Sequence, residues 1–86
     1  MTLHLKVLGA GCENCHTLER NARAAGAQLG IDATYELITD RSQFARYGVL
    51  YTPGLVINEK LVSAGRVLPP EQIVPLLATA LDQPAG

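Results

Sequence analysis

The chain has 86 residues, 48% of them apolar, and a formal net charge of −1. That is enough for one hydrophobic core and argues against a disordered chain. Balanced charge without a basic run gives no footing for nucleic acid or an anionic membrane surface, and no apolar run approaches the ~20 residues of a bilayer span.

Leu3, Leu5 and Val7 alternate with His4 and Lys6, so residues 2–8 read as a first strand. The same stretch is too short and too polar for a signal peptide. The expectation is therefore a single cytoplasmic domain spanning 1–86, with 83–86 as a frayed tail. Gly9, Ala10 and Gly11 form a small-residue turn. A helix follows from about Cys12 to Leu29, with Leu18, Ala22, Ala25 and Leu29 at helical spacing. Gly26 weakens it slightly, and Gly30 ends it.

Residues 33–38 read as a second strand. Thr39 or Asp40 can cap a short helix from Ser42 to Tyr47, ended by Gly48. Phe44 and Tyr47 lie one turn apart and should pack inward. After Thr52-Pro53-Gly54, strands at 55–57 and 61–63 should form a hairpin around Asn58-Glu59-Lys60. Pro69-Pro70-Glu71 opens a last helix whose buried stripe should be Ile73, Leu76, Leu77, Ala80 and Leu81. Pro75 should kink that helix or shift its start.

The element order β-α-β-α-β-β-α predicts an α/β fold with a four-stranded mixed sheet in order 2-1-3-4, flanked by three helices. Strands one and two must be parallel, joined by a right-handed crossover. The first and third helices should cover one face and the second helix the other. His4 and Lys6 then point to the less covered face.

Cys12-Glu13-Asn14-Cys15 holds the only two cysteines of the chain. So short a loop is a poor structural staple, because closing it removes little entropy from the unfolded state. The pair reads as chemistry. A helix N-terminus presents unpaired N–H groups and the positive end of the macrodipole, which lower the pKa of a Cys12 thiol. Glu13 opposes this, and Asn14 and His16 are further residues that could tune the thiols. Cys12, on the turn, is the natural nucleophile, and Cys15, one turn inward, the resolving thiol. Two other chemistries share this pattern. Two thiolates suit a soft metal or metalloid, Zn, Cu(I) or As(III), although a tetrahedral zinc needs four ligands and only His4 or His16 could add to the pair. Cys12-x-x-Cys15-His16 also matches covalent haem attachment, but Met1 is the one methionine available as an axial ligand.

Residues 7–16, Thr52-Pro53-Gly54 and Gly65-Arg66 together resemble the thioredoxin superfamily, and more narrowly its small thioredoxin/glutaredoxin-like redox-active disulfide proteins. The resemblance covers almost the whole chain. It implies a thioredoxin-like fold and a thiol-disulfide oxidoreductase that works without a cofactor or resident metal. Its partners would be a disulfide-containing protein substrate and an external reductant. It also implies a cis-proline at Pro53 facing the dithiol, with the backbone of Thr52 pairing to an extended substrate. The chain departs from the family in its Glu-Asn spacer and in having no tryptophan beside Cys12. It offers Lys6 and His4 on the strand where thioredoxins keep a buried acid. It has Arg66 where glutaredoxins have an acidic residue for glutathione.

Overall fold

The computed structural model describes residues 3–9 and 13–82, the side chain of Asp82 excepted. The predicted frayed tail lies outside them. The elements are β1 (Leu3–Leu8), α1 (Glu13–Leu29), β2 (Ala33–Ile38), α2 (Arg41–Tyr47), β3 (Gly54–Ile57), β4 (Lys60–Ala64) and α3 (Pro70–Asp82). They form one four-stranded sheet in the order β2-β1-β3-β4. β1 runs parallel to β2 from Leu3 opposite Ala33 to Leu8 opposite Ile38. It runs antiparallel to β3, and β3 to β4. This is the expected thioredoxin-like topology.

Strand alternation sorts the residues of β1. Leu3, Leu5 and Val7 join Leu18, Ala22 and Ala25 of α1 and Ile73 and Leu77 of α3 in the larger core. The stripes of α1 and α3 thus meet on one sheet face. Each fully buried Leu or Ile there stabilises the fold by roughly 1.5–3 kcal/mol. Leu8, Val49 and Val56 form a smaller core, against which Phe44 and Tyr47 pack. Asp40 caps α2: its Oδ1 accepts from the Ser42 backbone N–H at 3.0 Å and the Ser42 hydroxyl at 2.8 Å. These bonds hold the Asp40 carboxyl below its ordinary range. Gly48 ends the helix at φ 74°, a left-handed conformation that glycine adopts without a Cβ penalty.

Three expectations need correction. The hairpin turn has two residues, not three: Ile57 pairs with Lys60, and Asn58 and Glu59 have φ of 50° and 69°. Positive φ at both positions is the turn whose twist matches the flanking strands. Asn tolerates it; Glu59 adopts it with its carboxylate held by Lys6. The pairing also shifts between Leu55–Ser63 and Val56–Leu61, leaving Val62 as an extra residue in β4. The buried stripe of α3 is also shorter than expected: Ile73 and Leu77 are buried and Leu76 and Ala80 pack against them, but Leu81, in the last turn, is 37% exposed. Pro75 lies inside this helix, whose start at Pro70 it does not displace. Pro75 and Glu71 are both exposed, so the Glu71 carbonyl that loses its donor sits on the water side.

Candidate dithiol site

The site is built where β1 ends. Gly9 is buried, and its N–H donates to the Ile38 carbonyl at 2.9 Å, which ties the strand end to β2. Cys12 lies outside the described residues. In the first turn of α1, Glu13, Asn14 and His16 are exposed while Cys15 has 0% exposure. Helical spacing explains the split, since Cys15 shares its face with Leu18, Ala22 and Ala25.

The Cys15 sulfur lies directly against the backbone of Gly9. A Cβ built on Gly9 would overlap that sulfur, and it would stand 3.3 Å from the Cys15 Cβ and 3.9 Å from the Thr52 Cβ. The end of β1, the first turn of α1 and the segment before β3 therefore converge on one point.

The peptide bond between Thr52 and Pro53 is cis. Pro53 is buried and Thr52 exposed. The Pro53 carbonyl accepts from the Gly65 N–H at 2.9 Å, which joins this segment to the end of β4. Gly65 has φ 74°, and a Cβ there would lie 3.0 Å from the Cβ of Tyr51. Beside this joint the chain leaves Leu50 86% and Tyr51 72% exposed. Arg66 is exposed next to them.

His4 and Lys6 are directed to the other sheet face. His4 Nδ1 lies 2.8 Å from Thr34 Oγ1. Lys6 Nζ donates to Glu59 Oε1 at 2.6 Å and to the Tyr47 hydroxyl at 2.8 Å, and the Tyr47 hydroxyl also bonds Glu59. The Glu59 bond, then the Tyr47 bond, holds the Lys6 ammonium above its ordinary range. Tyr47 packs on the smaller core and Cys15 belongs to the larger one, so this polar cluster and Cys15 occupy opposite faces. Among the described residues, no polar or charged side chain is buried, and no group of three His, Cys, Asp or Glu side chains is placed to hold a metal ion.

Gly9 is the residue of this candidate site that sequence reasoning misses, because it reads there as part of a turn. The signal was present. Positions 3, 5 and 7 carry large apolar side chains toward the larger core, and position 9 continues that series with no side chain at all.

A parallel crossover followed by a closing hairpin, with a cysteine in the first helix packed beside a Thr-Pro turn, defines a thioredoxin-like redox domain. The family model described as "Thioredoxin domain" matches residues 3–78, and the chain belongs to the thioredoxin family. It is 40% identical over 76 residues to a thioredoxin of Methanothermobacter thermautotrophicus, covering 88% of this chain and 99% of that protein. It is 31% identical over 78 residues to a thioredoxin of Methanocaldococcus jannaschii, covering 91% and 90%. Its general activity is of the thioredoxin oxidoreductase type. Among the described residues, no helix is long and apolar enough to cross a membrane.

Proposed function

We propose that the protein reduces or exchanges disulfides of protein substrates through Cys12 and Cys15. The Cys12 thiolate attacks one sulfur of the substrate disulfide. The substrate S–S bond breaks, a mixed disulfide forms, and the leaving sulfur takes up a proton. Cys15, after giving its proton to water, attacks the Cys12 sulfur. The second substrate thiolate leaves and a Cys12–Cys15 disulfide remains. The substrate gains two electrons and the dithiol loses two. An external thiol reductant then restores the dithiol. No bound cofactor takes part.

The observation that carries this reading is the seat of Cys15: a buried thiol on the first turn of a helix, pressed to the strand end beside Thr52. An extended substrate would pair with the Thr52 backbone against Pro53, bordered by Tyr51, Gly65 and Arg66. Glu13, Asn14 and His16 are exposed around the first turn and tune the outer thiol. Two adjacent thiols working as a reductant fit a cytoplasmic setting.

The test is trapping. Cys15→Ser should accumulate a mixed disulfide through Cys12 with a disulfide-bearing protein such as insulin, and Cys12→Ser should trap nothing. Turnover with dithiothreitol as electron donor should be lost in both. Turnover surviving in Cys12→Ser would overturn the assignment of the nucleophile.

A further inference from the structure

We propose that Gly9 is a positioning residue for the Cys15 thiol: the missing side chain is the seat of the resolving sulfur. This rests on the exchange reading above and adds a residue outside the C-x-x-C motif to it.

Three observations carry the inference. The space that a Cβ on Gly9 would fill is already occupied by the Cys15 sulfur. Gly9 has no positive φ, so backbone freedom is not what its glycine supplies; the room is. Neither partner can easily retreat. The Gly9 N–H is bonded to the Ile38 carbonyl, and Cys15 is wholly buried on a helix packed against α3. Thr52 borders the same point, its Cβ 3.9 Å from the place a Gly9 Cβ would take. Protein interiors are packed too densely to absorb an added methyl without displacement. A side chain at position 9 therefore rotates the Cys15 sulfur away from its seat. Attack by Cys12 on a substrate does not involve this seat, whereas the second step, Cys15 on the Cys12 sulfur, does.

The experiment separates the two steps with 5,5′-dithiobis(2-nitrobenzoate) and fully reduced protein. Attack by Cys12 releases one thionitrobenzoate and leaves the other bonded to Cys12. Attack by Cys15 on Cys12 then expels the second and forms the Cys12–Cys15 disulfide. In Gly9→Ala the first release keeps its rate. The second slows about tenfold or more, because misplacing a reacting group by ~1 Å can cost ~100-fold. Unchanged second release, or equal slowing of both, overturns the proposal. A wild-type protein that never makes the second release refutes the exchange reading instead. Should Gly9→Ala fail to fold, the pair Gly9→Ala/Cys15→Ala decides. Recovered folding upon removing the sulfur supports the seat, and persistent unfolding overturns it.

Discussion

Gly26 of α1 and Tyr35 of β2 meet so closely that the tyrosine hydroxyl occupies the place of a Cβ on the glycine. A Cβ at Gly26 would also lie 3.4 Å from the ring carbon bearing that hydroxyl. The glycine lets α1 cross β2 with the tyrosine ring between them. The exposed face of that ring carries the Arg23 guanidinium 4.7 Å from its centroid. Burial pushes the Tyr35 phenol above its ordinary range.

Gly26→Ala should therefore destabilise the protein although alanine is the better helix former. Propensity returns up to ~1 kcal/mol, and overpacking costs about 1–3 kcal/mol, so a net loss of roughly 1 kcal/mol is expected. Removing the hydroxyl should reverse the sign. In a Tyr35→Phe background, Gly26→Ala should be neutral or stabilising. Urea unfolding of the four proteins measures this coupling, and simple additivity would contradict it.

The link between Lys6 and Glu59 gives a pH dependence with a definite sign. The Lys6 bond, then the Tyr47 bond, holds the Glu59 carboxyl below its ordinary range. A carboxyl depressed in the folded state contributes stability that is present above its unfolded value of 4.5 and lost as pH falls through the folded value. Lys6, raised above 10.5, contributes stability that is present below 10.5 and lost as pH rises through its folded value. The wild type should lose an advantage over Glu59→Gln in acid, with the two melting curves converging well below pH 4.5. Both differences should shrink in salt. Glu59→Gly removes the charge as well but suits the φ of 69°, so it should melt above Glu59→Gln throughout.

Periodicity and punctuation made most of this fold legible. Alternation in β1 and the stripes of α1 and α3 gave element types, and Asp40 and Gly48 marked the ends of α2 within a residue. What sequence could not show was which side chain fills the space left by which glycine. Gly9 and Gly26 look alike in the sequence, as small residues that end or weaken an element. Each instead makes room for one named partner across the fold. The two-residue turn at Asn58-Glu59 escapes the sequence for a related reason. Glutamate is not favoured in a left-handed conformation, and its compensating partner, Lys6, is 53 residues away. Short-range signals cannot report such a pairing. At the site, the C-x-x-C and Thr-Pro motifs were plain, but the inward turn of Cys15 follows from its register with Leu18 and Ala22.

The packing of α3 is open to a direct contrast. Leu77 has 0% exposure in the larger core, and Leu81, one turn on, is 37% exposed. Leu77→Ala should cost about 2–5 kcal/mol. Leu81→Ala should stay within about 0.5–1 kcal/mol of wild type. Guanidinium unfolding at equal slope would show both as pure stability changes.

Leu50 and Tyr51 present the largest exposed apolar side chains beside the Thr52-Pro53 segment. Water contact at that level contributes little to folding, so Leu50→Ser and Tyr51→Ala should alter stability by no more than about 0.5 kcal/mol. Under the exchange mechanism they should matter for recognition. Burying apolar surface of a protein substrate against them gains roughly 25 cal/mol per Å², a gain a small disulfide cannot collect. The double variant should raise the KM for a protein disulfide such as insulin several-fold, about 1 kcal/mol for each fivefold. Both thionitrobenzoate releases should keep their wild-type rates. Equal loss with both probes would place these residues in the dithiol chemistry itself. No loss with either would move the docking surface elsewhere on the molecule.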